Sequence, residues 1–225
     1  MRSAARVSVA AAVVLAVAGG SMSAAIGAAP RKSTAFAGYA VSHLRRVSSA
    51  AAHFSVPTIT CRSRLSGVGP AVVLDSTTNV FSGAGVGVAC EQGRPVYQAV
   101  VIVRGVPHDL FNLRVRDQVA VSVSSTRAST VVSIRDLSTG KGKTLRGQGT
   151  VMSFAEIGVQ GLAFGSNRVG IDPFTATTFT GASVNGQTLT KASAYAVERV
   201  HGSTLQIQVG RLHGGTSFTV TFRHS

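Results

Sequence analysis

The sequence predicts an all-β fold, an antiparallel sandwich or closed barrel, and three observations carry that reading. β-branched residues alternate with polar ones over short runs, turn residues punctuate those runs, and no stretch after Ala52 keeps a helical period with caps. Short strands with turns every ~8–12 residues are the pattern of sandwiches and barrels.

The segments follow in order. Residues 1–29 read as a bacterial-type secretory signal peptide: Arg2 and Arg6 make a positive start, Val7 to Ala18 is apolar, and small residues follow from Gly19 to Ala29. Cleavage is expected between Ala24 and Ala29. The apolar run is short of the ~20 residues that a membrane span needs, and no later stretch supplies one. The mature protein is therefore expected to be secreted, with no membrane span. Residues 30–53 are polar, basic and rich in Ala and Ser, and read as a linker or short pro-segment, partly helical around Ala40 to Arg46. One sandwich domain is expected over residues 54–225. Alternation is plain at Leu113 to Arg116, Val119 to Val123, Thr130 to Ile134, Leu205 to Val209 and Ser217 to Phe222. Ser138-Thr139-Gly140, Asn185-Gly186 and His213-Gly214-Gly215 mark turns. No internal repeat or second domain is visible, and a monomer is expected.

The formal charge is +14, falling to +12 when Arg2 and Arg6 leave with the signal. The basic residues are spread along the chain, from Arg62 and Arg94 to Arg199 and Arg211. There is no Trp and there are three Tyr, so stacking platforms are scarce. Nucleic acid is not an expected partner; an anionic cell-wall polymer or membrane surface is. Two cysteines, Cys61 and Cys90, in an exported chain are expected to form a disulfide.

Several motifs fail on spacing or context. Gly140 to Thr144 reads GKGKT, but the first Gly of a phosphate loop would fall at Leu137. Gly83 to Gly87 reads GAGVG without the dinucleotide spacing, and fits a strand where backbones pass closely. The six histidines lack metal-ligand spacing, and no Gly-x-Ser-x-Gly elbow is present. No metal or other cofactor is expected. Among the eight acidic residues, Glu156 is distinctive because it sits in an apolar strand. Alternation puts Phe154, Glu156, Gly158 and Gln160 on one face. Such a Glu is either ion-paired with an arginine, which pattern alone favours, or a tuned acid/base.

From Phe54 onward the chain resembles the secreted glutamic peptidases, the eqolisins, as a divergent homologue. Phe54-Ser55-Val56-Pro57 with Cys61 is similar to the family's entry strand. Val72-Val73-Leu74-Asp75 resembles its Val-Gly-Ile-Asp strand, and Cys90, Gly93 and Tyr97-Gln98-Ala99 its Cys…Gly…Tyr-x-Ala-Trp segment. Leu113 to Val123, Ser138 to Gly140 and Ala155-Glu156 match further markers. Phe174 through Gly186 and Ser217 to Val220 complete the order. The resemblance implies a sandwich of two large curved antiparallel sheets, a concanavalin-like jelly roll. It also implies a Glu and a Gln on the concave sheet that activate water against a peptide bond in acid.

The Glu carries over to Glu156; the Gln does not. Its expected stretch, Phe81 to Val86, holds no amide. Ala71, Val100, Ile102, Ile157 and Gln160 stand where the family has Trp or Glu. Gln160 shares a face with Glu156 and could partly substitute, but ~13 Å of strand rise separates the two. Gln98 and Gln92 are the other amides in question. The expectation is a catalytically degenerate homologue that binds a peptide or envelope polymer. An active acid endopeptidase and a basic structural envelope protein are the rivals.

Overall fold

The structure is a computed structural model describing residues 29–62, 68–161, 163–164, 167–168 and 171–224. The expected signal peptide falls, but for Ala29, outside the described residues. The strands are β1 (Arg31–Ser33), β2 (Phe36–Val47), β3 (Ser49–Ser55), β4 (Val68–Asp75), β5 (Phe81–Glu91) and β6 (Arg94–Val103). Then come β7 (Val106–Asn112), β8 (Gln118–Ser125), β9 (Ser129–Asp136), β10 (Gly142–Gln148), β11 (Met152–Gly161), β12 (Ala163–Phe164) and β13 (Asn167–Arg168). The last are β14 (Thr177–Val184), β15 (Gln187–Thr188), β16 (Tyr195–His201), β17 (Thr204–Val209) and β18 (Phe218–Phe222). No helix occurs among the described residues.

Pairing runs in the order β10-β9-β8-β3-β14-β18-β17-β16-β2-β11-β4-β5-β6-β7. All of it is antiparallel; β1 adds to β16 in parallel. The path folds on itself, so that β3, β8 and β9 face β4, β5 and β6. This makes the sandwich: one sheet from β2 through β11 to β7, the other from β14 through β3 to β10. Between them lies the core, with Val72, Leu74, Val101, Val121, Ile134 and Ile157 all at most 2% exposed. An aromatic ladder continues it. Phe179 stacks on Phe218 at 4.9 Å, and Phe54 and Tyr39 pack against its two ends. Such pairs add ~0.5–1.5 kcal/mol beyond the area they bury.

Residues 30–53, expected as a linker or pro-segment with some helix, form β1, β2 and most of β3. β2 lies between β11 and β16, and Ala37, Tyr39, Val41 and Val47 enter the core. β3 joins β8 to β14 and sends Ala50, Ala52 and Phe54 inward. Alanine has weak strand propensity, so the segment looks irregular when read alone. What makes it a strand is pairing on both edges and burial of alternate positions. The domain therefore begins near Arg31, not at Phe54. The Cys61–Cys90 disulfide is formed, with Cα atoms 5.8 Å apart.

Candidate active site

β11 positions the candidate acid. Its odd residues Ala155, Ile157 and Val159 enter the core, and its even residues Phe154, Glu156, Gly158 and Gln160 face away from it. Register extends this face sideways. Glu156 lies opposite Ala40 on β2 and Val73 on β4; Val73 lies opposite Gly83 on β5, and Gly83 opposite Ile102 on β6. The next row is Gly38, Gly158, Ala71, Gly85 and Val100. The face is recessed. Val73, Asp75, Gln160 and Phe36 on it are all at most 5% exposed, although they point away from the sandwich interior.

Glu156 and Gln160 touch. The Gln160 amide Nε2 donates to the Glu156 carboxylate Oε2 at 2.8 Å. The 13 Å counted along the strand is a backbone separation; long side chains lean along a strand, and Gly158 between them has no side chain to keep them apart. The amide oxygen of Gln160, Oε1, is buried without a hydrogen-bond partner. Pattern favoured an arginine partner for Glu156, but among the described residues its partner is this amide.

Burial pushes the Glu156 carboxyl up from 4.5 to about 7; the Gln160 hydrogen bond lowers it in part, and the charge of Asp75 raises it further. Asp75 is the diagonal neighbour of Glu156, since Phe154 lies opposite Asp75 and Glu156 opposite Val73. Burial raises Asp75 from 3.8 to about 6, against the backbone N–H of Ser76, which donates to its Oδ1. The second oxygen, Oδ2, is buried and unpartnered. Both groups are therefore neutral in acid. The sequence reading did not single out Asp75 as part of this site. The available signal was its place at the end of an apolar strand that resembles a family strand.

The other predicted positions separate. Gln98 faces the same way as Glu156 but three strands from β11, opposite Gly87. Gln92 is an exposed turn residue with φ 51°. Ala71, Val100 and Ile102 do line the recessed face, whereas Ile157 is fully buried in the core and forms no wall of the site. Gly83 occupies the position where a partner would face Glu156 across β4. A Cβ there would sit 2.5 Å from the Val72 carbonyl oxygen and 2.9 Å from Val73 Cγ2. Gly85 is as tight, 2.4 Å from the Pro70 oxygen. The GAGVG run is thus a close-approach strand, and it excludes any side chain at position 83. Phe36 closes the floor beside the acid: a Cβ on Gly38 or Gly158 would meet its ring at 2.7 or 2.8 Å. What stays partly open on this face is Ala71 and Gly87, edged by Val100 and Ile102, with Gly85 buried between them.

Comparison with known proteins gives a consistent picture. The profile of the Peptidase A4 family matches residues 34–222. No curated protein matches significantly. Among solved structures, scytalido-glutamic peptidase bound to a transition state analog inhibitor superposes with TM-score 0.71 at 17% identity, over 84% of this chain and 98% of that one. SCP-B, a member of the eqolisin family in complex with the tripeptide Ala-Ile-His, gives 0.70 and 17% over the same shares. Aspergilloglutamic peptidase from Aspergillus niger gives 0.56 and 22%, over 77% of this chain and 99% of that one. At these identities the superpositions establish the fold, a β-sandwich.

Proposed function

The chain belongs to the Peptidase A4 family, and we propose that it is a secreted, catalytically degenerate member that binds an extended peptide on its recessed face without cleaving it. Hydrolysis by a carboxylate and water needs a base that is ionised at the working pH and a donor for the developing oxyanion. In acid neither is at hand. With its pKa near 7, only about one Glu156 in a thousand is ionised at pH 4, and Asp75 is neutral as well. Above neutrality Glu156 ionises, but the one amide beside it among the described residues is already bonded to it. The observation that carries the reading is Gly83: the place facing Glu156 across β4 is backbone alone and cannot accept a side chain. Losing one preorganised donor commonly costs ~10²–10³ in rate. A neutral Glu156 can instead donate its O–H to a peptide carbonyl, and the small, partly exposed Ala71 and Gly87 on the same face let a backbone approach closely.

The test is a mixture of unstructured peptides incubated with the mature protein at pH 4 and pH 8, with the bound fraction read by mass spectrometry. Peptides should be retained intact, more strongly at pH 4, and Glu156→Ala should abolish the difference. No retention, or retention indifferent to Glu156→Ala, would sink the proposal.

One observation favours a second reading, an active peptidase built on an intrastrand Glu156–Gln160 pair: the 2.8 Å bond itself. That reading requires Gln160, 3% exposed, to swing off Glu156 and present its amide to substrate. The same experiment would then yield shortened peptides.

A further inference from the structure

The outward face of the second sheet is chemically unlike the rest of the molecule. Cross-strand register lines up Thr144, Ser133, Ser122, Ala51 and Ser183 in one row over β10, β9, β8, β3 and β14. Four of the five carry hydroxyls, at the ~4.8 Å spacing of neighbouring strands. Ser133 and Thr144 are hydrogen-bonded at 3.0 Å, and further along the face Thr178 and Thr219 at 3.1 Å. The rows on either side bring arginines, Arg135 in one, which also holds His53, and Arg146 in the other, all exposed.

All eight acidic residues lie elsewhere. Asp75, Asp109 and Glu156 belong to the first sheet, and Glu91 to its β5–β6 hairpin. Asp117, Asp136 and Asp172 are buried, and Glu198 pairs with Lys32 at 2.7 Å. The positively charged excess of the chain therefore meets no internal counter-charge on this face.

We infer that this face binds a linear polymer of polyol or sugar units joined by phosphodiesters. Arg135 and Arg146 would hold phosphates in bidentate fashion, and the hydroxyl row between them would exchange hydrogen bonds with the polyol. Among the described residues the face carries no Phe, Tyr or Trp, so the broad platforms on which successive bases of a nucleic acid stack are missing. The proposal concerns the opposite side of the sandwich from Glu156 and does not depend on the reading of that site.

The experiment measures affinity for poly(glycerol phosphate) and for a single-stranded oligonucleotide at equal phosphate concentration, over a range of salt. Three variants accompany the wild type: R135S/R146S, S122E, which puts a carboxylate in the middle of the row, and a control, R94S/R114S, at exposed arginines at the start of β6 and in the β7–β8 connection. Thermal melting confirms that each is folded. Poly(glycerol phosphate) affinity at low salt should fall at least tenfold in R135S/R146S and in S122E, and stay within twofold of wild type in R94S/R114S. The proposal is overturned if wild type does not bind, if all variants lose affinity alike, or if the oligonucleotide binds as tightly as poly(glycerol phosphate).

Discussion

Ionising Glu156 in the folded protein means placing a charge in a recess beside Asp75. This fixes the sign of the pH dependence. Its carboxyl sits near pH 7 when folded and near 4.5 when unfolded, so between these values the folded state binds more protons. Stability from this group is therefore full below about pH 4 and is lost as pH rises through 7. At 1.36 kcal/mol per unit the change is roughly 3 kcal/mol, and Asp75 adds a loss of the same sign between about pH 4 and 6. Denaturant titrations at pH 4 and pH 8 should show the wild type more stable in acid. Glu156→Gln, which cannot ionise, should remove roughly half of that difference. A wild type more stable at pH 8 would refute the burial argument. Gly83 gives a second residue-level expectation. A Cβ 2.5 Å from a carbonyl oxygen forces the strands apart, so Gly83→Ala should cost roughly 1–3 kcal/mol in the same titration.

The strands show what a single sequence reveals and what it hides. β8 and β9 were plain because Val, Ile and Ser alternate with period two, and the structure buries every second residue as that pattern requires. β3 is hidden because Ala and Ser dominate it, and β2 because Gly38, His43, Arg45 and Arg46 break its apolar alternation; their strand character comes from partners more than a hundred residues away on β11 and β14. The same contacts give a prediction. A chain starting at Phe54 would expose the inner edges of β11 and β16 and empty the core of Tyr39, Val41 and Val47. It should not fold cooperatively, whereas a chain starting at Pro30 should; a heat-capacity peak in the first would contradict this. The Glu156–Gln160 contact was hidden for a different reason. Counting rise per residue measures backbones, and the bond is made by two long side chains meeting above a glycine.

For the whole molecule, the disulfide ties the entry segment to the end of β5 across 29 residues of chain, and should contribute about 3.5 kcal/mol in the chain-entropy model. Reductant, or Cys61→Ala with Cys90→Ala, should lower the unfolding midpoint accordingly; an unchanged midpoint would mean that the unfolded chain is already constrained there. The fold was legible as a whole because family markers recur in order along the chain. The site was legible only in part. Glu156 stood out as an acid in an apolar strand, but the obstacle at Gly83 depends on how closely β4 and β5 approach, which no residue pattern records. On the proposed reading, this member of a peptidase family has kept the sandwich and the acid and lost the chemistry. The most direct test of that reading is the digestion of a denatured protein substrate from pH 2 to pH 8 by the mature protein beside Glu156→Gln. No cleavage above that variant is expected at any pH; robust cleavage in acid that vanishes in the variant would overturn the degenerate reading.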